Sequence, residues 1–288
     1  MAPDVGGGLA RFDWLETDPP TPLFRACPNP AQARPFDLGC NLLVPWCGRV
    51  AGGGFSFGGR RHKLPLTVPG EALPIHGDGL SSVWQVEEAA GNWATLVLPE
   101  HDLGPYRYAA RVTYTLADGG LRITLEATHA GGDPLPYGLG LHPWFRRTPG
   151  TRLHAPSTTV TLENSRHLPA GDVAVAARPD WDFNAPRHLP RAWINNEFAP
   201  WPGRAEILWD DLGVALDVDA VDEPRLRRYL LYSPASDASF WCFEPVTHAV
   251  DAHNAGTQAE ALGLVVLHRG ETLRIACKFS PKAVTTTV

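Results

Sequence analysis

The stretch Tyr106-Arg-Tyr-Ala-Ala-Arg-Val-Thr-Tyr-Thr-Leu-Ala-Asp-Gly-Gly-Leu-Arg-Ile-Thr-Leu-Glu-Ala-Thr128 decides the fold class. Val112, Tyr114 and Leu116 alternate with Arg111, Thr113 and Thr115. After Ala117-Asp-Gly-Gly120, Leu121, Ile123, Leu125 and Ala127 alternate with Arg122, Thr124, Glu126 and Thr128. Successive side chains of a strand point to opposite faces, so this period of two gives one apolar and one polar face. Asp-Gly between two such runs is the turn chemistry of a tight hairpin. The pattern recurs at residues 205–209 with 214–218. It recurs again at residues 262–267 with 272–279, around His268-Arg-Gly-Glu271. The Gly-rich residues 51–61 read as a further hairpin with Phe55 and Phe57 on one face, and residues 9–14 as a first strand. No stretch of a dozen residues keeps a 3.6 period. The chain is therefore expected to be mainly β and antiparallel, with long loops and few or no long helices.

Composition narrows the function. The chain has 288 residues, enough for a sizeable core, and 28 Gly and 28 Pro spread along it as punctuation between strands. With no linker, low-complexity tract or clean repeat, residues 1–288 read as a single domain, of which the small, Gly-rich residues 1–8 are expected to be frayed and residues 26–40 to form a loop. Net charge is −6 with no basic stripe, which argues against nucleic acid as a partner. No apolar run is long enough to span a bilayer, and the N-terminus lacks the basic and apolar regions of a signal peptide. The five cysteines are scattered without CxxC spacing, which points to reduced thiols and a cytoplasmic protein.

Two ionisable residues share one local design. Glu244, in Phe240-Trp-Cys-Phe-Glu-Pro245, and His142, in Leu139-Gly-Leu-His-Pro143, each end an apolar run and precede a proline. The residue before proline is held extended, which suits the end of a strand aimed into a cleft. A carboxylate behind apolar residues is costly to bury unless something uses or neutralises it, and a histidine with a carboxylate is a usual acid–base couple. An ordinary core histidine bonded to a backbone carbonyl is the competing reading of His142. His76 lies in a turn-rich loop, and Arg49 closes the run Leu42-Leu-Val-Pro-Trp-Cys-Gly48. Either could bind a ligand or face solvent. Trp46, Trp84 and Trp144 adjoin these polar residues and offer faces for stacking on a sugar ring. No other carboxylate is seen to share the strand-end context of Glu244. HExxH and Cys clusters are missing, so a metal site has no spacing signature, although His248 and His253 could join Glu244 as ligands; GxSxG and the P-loop are missing too.

Taken together, Leu43-Val-Pro-Trp-Cys-Gly-Arg-Val50, Ile75-His-Gly77, Gly140-Leu-His-Pro-Trp-Phe145 and Cys242-Phe-Glu-Pro-Val-Thr-His-Ala-Val-Asp251 resemble the aldose 1-epimerase (mutarotase) family in motif and order. The resemblance implies a galactose mutarotase-like β-supersandwich that interconverts the anomers of a free aldohexose without a cofactor. It implies Glu244 as general base and His142 as general acid, with His76 and Arg49 binding hydroxyls. By the same resemblance His142 should be protonated beside Glu244, with the two groups on opposite sides of the sugar's C1–O5 unit. His248 and His253 become scaffolding, and Asp251 and Asn254 turn formers. Two departures stand out. Asn195 takes the place of a usual aspartate, which bears on sugar preference. Gly48 stands where Asn is common, which is expected to loosen the loop carrying Arg49. A non-catalytic carbohydrate-binding protein and a hexose-6-phosphate 1-epimerase are the alternatives. The second is disfavoured by the lack of Arg or Lys directly after Gly77.

Overall fold

The hairpin of residues 106–128 forms as strand Tyr106–Ala117 against Gly120–His129, with Leu116 opposite Leu121 and Ala117 opposite Gly120. The computed structural model describes residues 1–220 and 222–284. This hairpin sits inside a nine-stranded sheet, in which Thr272–Ala283 pairs with Gly120–His129 on one side and Val214–Asp219 on the other. The expected pair Arg204–Trp209 and Val214–Asp219 lies in the same sheet, and Gly54–Phe57 with Arg60–Lys63 makes the separate Gly-rich hairpin. Helical structure among the described residues consists of three-residue 3-10 turns. No helix there is long and apolar enough to cross a membrane.

A seven-stranded antiparallel sheet completes the fold. Its strands run in the order Pro169–Ala174, Thr159–Glu163, Ile194–Ala199, Arg228–Ser233, Phe240–Val246, Gly140–Arg146 and Cys40–Leu43. One face of each sheet closes a shared apolar core. Phe145 of this sheet lies 6.4 Å from Trp209 of the other, and Phe24 sits 5.3 Å from Phe145 and 5.2 Å from Phe279, all centroid to centroid. Alternation decides which residues are left for the other face. Trp241, Phe243, Leu141 and Phe145 are fully buried in the core, so Cys242, Glu244, His142 and Trp144 project from the opposite side.

Three expectations need correction. Residues 262–267 do not pair with 272–279. Val265–Leu267 pairs instead with Leu135–Tyr137. Alternation marks both runs as strands but carries no information about a strand's partner. The first strand shrinks to Asp13–Trp14 against Thr21–Pro22, while Leu9 bridges to Cys40. Residues 1–8 are not frayed. Ala2 N–H donates to Gly8 O, Gly6 N–H to Ser82 O, Trp84 N–H to Pro3 O, and the Tyr114 hydroxyl to Gly7 O at 2.7 Å. The Trp84 ring covers Gly7 so closely that a Cβ there would meet it at 2.9 Å. Small residues let the segment lie flat over an indole, which a composition rule for frayed ends does not anticipate.

Deleting residues 2–8 should therefore lower the melting temperature by several degrees in differential scanning calorimetry. It strips partners from the buried Tyr114 hydroxyl and Trp84 N–H, each loss worth about 1–3 kcal/mol. An unchanged melting temperature would restore the frayed reading.

Candidate active site

The register that sets Gly140 against Val246 and Trp144 against Cys242 puts His142 directly across from Glu244 on the neighbouring strand. Side chains opposed in an antiparallel pair come within contact distance. Here His142 Nε2 and Glu244 Oε1 are 3.4 Å apart, with the two residues 5% and 4% exposed. Each keeps one buried polar atom, Glu244 Oε2 and His142 Nδ1, without a hydrogen-bond partner among the described residues. The imidazole is held by aromatic packing. Trp144 stacks on it with centroids 4.7 Å apart and planes 18° off parallel, and Asn41 Oδ1 accepts the Trp144 indole N–H at 2.9 Å.

His76 arrives from the loop after Ile75. Its backbone is left-handed (φ 62°), a conformation that non-glycine residues adopt at a cost and that concentrates at functional sites. The loop is clasped to the strand-end loop 44–49 from both sides. His76 N–H donates to Gly48 O, and Gly48 N–H donates to His76 Nδ1 at 3.1 Å. Gly77 must be glycine, because a Cβ would lie 2.0 Å from Val44 O. The next residue, Asp78, accepts from the Tyr108 hydroxyl and His101. The His76 ring centroid ends 5.4 Å from that of His142.

Arg49 lines the same cleft and makes a bidentate ion pair with Glu71, Nη2 to Oε1 at 3.0 Å. Its loop is not loosened by Gly48. That residue has φ +66°, a region open to both Gly and Asn, and both its N–H and its carbonyl are bonded to His76. His248 and His253 are scaffolding, as expected. His248 Nε2 accepts the Cys47 N–H at 3.0 Å and its Nδ1 donates to Ala249 O, while His253 meets the Tyr106 hydroxyl. Asp251 caps a turn and accepts from Ala51 N–H and Asn254 Nδ2.

The cleft around these residues encloses about 360 Å³, at the small end of the 300–1,000 Å³ typical of ligand sites, which suits a single small molecule rather than a polymer. Glu244, His142, His76, Arg49 and Asn195 all line it. Trp46 and Trp84 do not. Trp46 is fully buried and stacks on Tyr106 at 5.8 Å, and Trp84 packs under the N-terminal segment with its indole N–H on Gly79 O. Strand or loop phase, not nearness in sequence to Arg49 or His76, decides which side a tryptophan takes. The aromatic residues at the cleft are Trp144, Trp193, Tyr232 and Phe36. Glu163 also lines it, at the end of strand Thr159–Glu163. It ends its strand, the context expected for Glu244 and His142, which instead lie inside strands Phe240–Val246 and Gly140–Arg146. The alternating Thr159-Val-Thr-Leu-Glu163 before Asn164-Ser165 was the available signal.

Burial dominates the electrostatics. It pushes the Glu244 carboxyl up to about 8, against a smaller opposing pull from Arg49, and it lowers the His142 imidazole to about 3. The expectation of an imidazolium beside a carboxylate is thus reversed. Removing both groups from water outweighs their attraction. The pair holds one proton between these two values, with Glu244 neutral and His142 neutral as the resting arrangement. Burial also holds His76 well below the usual histidine range. His76, His142 and Glu244 each offer one atom within 4.8 Å of the others, a spacing compatible with a metal ion. The chemistry of the donor set does not fit one. Nδ1 of neutral His76 is occupied by the Gly48 N–H, so its hydrogen sits on Nε2, and a nitrogen carrying hydrogen is not a ligand.

Two packed antiparallel sheets with a buried glutamate–histidine pair on the open face match a galactose mutarotase-like β-supersandwich. A galactose mutarotase-like protein of Clostridium acetobutylicum has this fold, with a TM-score of 0.82 at 18% identity over 98% of this chain and 91% of that one. The crystal structure of a candidate aldose 1-epimerase from Escherichia coli K12 superposes with a TM-score of 0.89 at 32% identity over 98% of this chain and 94% of that chain. The uncharacterised protein YphB of Escherichia coli K12 is 34% identical over 273 residues, 93% of this chain and 90% of its own length. The model of the aldose 1-epimerase family matches residues 2–280. The chain belongs to the aldose 1-epimerase family.

The raised Glu244 carboxyl carries a stability signature. Below about 4.5, its ordinary value, folded and unfolded chains both hold the proton and the stability is fully present. As pH climbs from there toward about 8 the unfolded chain ionises first, so stability is lost with rising pH. Glu244→Gln removes that loss. Its melting temperature should gain on the parent's by several degrees between pH 5 and pH 8, and a difference that stays constant with pH would contradict the shift.

Proposed function

We propose that the protein is an aldose 1-epimerase that interconverts the α and β anomers of a free, uncharged aldohexose by ring opening, with Glu244 as base and His142 as acid. The observation that carries this reading is the directly opposed, buried Glu244–His142 pair, 3.4 Å apart in a monosaccharide-sized cleft. The two groups stand side by side rather than across the sugar. That serves the reaction, because O1 and O5 are bonded to the same carbon and lie next to each other. Ionised Glu244 takes the proton from the C1 hydroxyl as C1=O forms, the C1–O5 bond breaks, and O5 takes the proton from His142. The aldehyde rotates about C1–C2. On closure the C5 hydroxyl attacks C1, returns its proton to His142, and Glu244 protonates O1.

No proton is gained or lost overall. Opening starts with the pair's single proton on His142 and ends with it on Glu244, and closure moves it back. Burial favours the second arrangement, so bound sugar and the Arg49 cation have to draw the carboxylate into its ionised form. The Nε2–H of His76, the guanidinium of Arg49 and the amide of Asn195 supply donors for ring hydroxyls. A phosphorylated sugar suits the cleft less well. Glu71 already engages Arg49, Glu197 engages Arg228, and Glu163 and Glu244 add carboxyl groups to the lining. The five buried free thiols fit a reducing, cytoplasmic setting.

Polarimetry on freshly dissolved α-D-glucose and α-D-galactose tests the reading. The parent protein should speed mutarotation, and Glu244→Gln and His142→Asn should each lose on the order of 10²-fold or more while still folding. The rate should fall as pH rises past about 8, where the pair gives up its one proton. A Glu244→Gln protein with near-parental rates would overturn the assignment.

A further inference from the structure

The open face of the seven-stranded sheet carries two rows of opposed side chains. One runs Thr161, Glu197, Leu230, Glu244, His142 and Asn41, each opposite the next across neighbouring strands. The second, two residues along each strand, includes Asn195, Tyr232, Cys242 and Trp144. Continuing the register that pairs Thr161 with Glu197 brings Glu163 opposite Asn195, at the far end of this second row. The strand bearing Glu163 lies three strand spacings from that of Glu244, about 14 Å.

Glu163 is held there from three sides. Asn195 Nδ2 donates to Oε2 at 2.8 Å, His167 Nδ1 to Oε2 at 2.7 Å, and the Trp193 indole N–H to Oε1 at 2.7 Å. The local backbone is shaped to make this possible. Pairing with Pro169–Ala174 shifts register between Thr161 and Glu163, the irregularity by which strands re-aim a side chain. His167 takes a left-handed φ of 58° in the turn that brings its ring back to the carboxylate. A carboxylate offers about four acceptor positions. Three are taken, and Glu163 lines the cleft with its side chain still 18% exposed. Fixing a partly exposed acid with three donors, one of them a histidine in a strained backbone, serves no packing need. It leaves one acceptor aimed in a fixed direction.

We infer that Glu163 is the specificity-determining carboxylate of this cleft. It accepts a hydrogen bond from a ring hydroxyl remote from C1, on the C3–C4 edge, and Asn195, His167 and Trp193 position it. This rests on the epimerase reading for the sugar's orientation, with C1 at Glu244. Asn195 then acts on the sugar partly through Glu163, since one of its two amide hydrogens is spent there. The favoured class is a neutral pyranose with free hydroxyls on that edge.

Steady-state mutarotation of D-glucose, D-galactose, 3-deoxy- and 4-deoxy-D-glucose separates the possibilities, with 2-deoxy-D-glucose as a control beside C1. In the parent, loss of the 3- or 4-hydroxyl should lower kcat/KM by on the order of 10-fold or more. Glu163→Gln should raise KM for D-glucose by about 10-fold with kcat within about 3-fold, shrink that deoxy penalty, and shift the glucose-to-galactose ratio, since the two sugars differ only at C4. Asn195→Ala should move the same readouts in the same direction by less, and it carries the test if the Glu163 variant fails to fold. Unchanged KM and an unchanged deoxy penalty in a folded Glu163→Gln protein would overturn the inference while leaving the epimerase intact. Calorimetric titration with D-glucose distinguishes the two failures. A parent that binds glucose without speeding mutarotation, with binding weakened by Glu163→Gln, removes the epimerase reading and keeps Glu163. A parent that neither binds nor turns over removes both.

Discussion

Glu244 buried across from His142 is the constraint to which the rest of the site answers. An enclosed carboxylate has to be neutralised or paired, and both requirements are met here by one proton shared with an imidazole 3.4 Å away. What guarantees the pairing is the core on the other side of the sheet. Trp241 and Phe243 flank Glu244 on its strand, and Leu141 and Phe145 lie on the strand of His142, all fully buried. A slip of one residue would drive Glu244 into that core and turn two large aromatics toward the cleft. The apolar packing that stabilises the fold is therefore also what sets the register of the Glu244–His142 pair.

The loops at the sheet's end are fixed by histidines used as acceptors. The Gly48 N–H bonds to His76 and the Cys47 N–H to His248. Both rings are buried and neutral, held below the usual histidine range by burial, so each has one nitrogen free to accept. The same bonds fix the tautomers. His76 is left with a donor at Nε2, and His248 donates its Nδ1 hydrogen to Ala249 O. A main-chain N–H thus decides that the histidine beside Glu244 and His142 offers hydrogen rather than a lone pair. This favours hydroxyl recognition over metal ligation.

Much of this was legible in the residues, and the gaps have physical causes. Alternation around Asp118-Gly119 located the central hairpin and its register, since turn chemistry and periodicity act within a few residues. Strand Val265–Leu267 was recognisable, yet its partner Leu135–Tyr137 is more than a hundred residues away and shares no local signal with it. Glu244, His142, His76 and Arg49 were readable from local context and family resemblance together, and all line the cleft. Trp46 and Trp84 were not separable from Trp144, because which face a tryptophan takes depends on strand phase rather than on its neighbours. Glu163 ended an alternating strand in plain view. Its importance lies in three donors from residues 167, 193 and 195, which only the folded chain brings together. The protonation of His142 was misjudged for a similar reason. A neighbouring charge can be inferred from motifs, but the depth of burial cannot.

That burial gives the proposed reaction a direction at each half-step. With the cleft's own preference set toward neutral Glu244 and neutral His142, the arrangement required for ring closure is the one the protein favours unaided. Ring opening instead has to be supported by the sugar's hydroxyl donors and by Arg49, whose charge opposes the upward shift of Glu244. A bound cyclic sugar brings those donors. An open chain, with its aldehyde turning, presents them less regularly, and the pair relaxes toward the state that closes the ring. A reactive aldehyde is thereby returned to either anomer rather than held. Burying the pair moves the proton's favoured residence from the imidazole to the carboxyl, and the sugar's donors with Arg49 have to offset that preference for the ring to open.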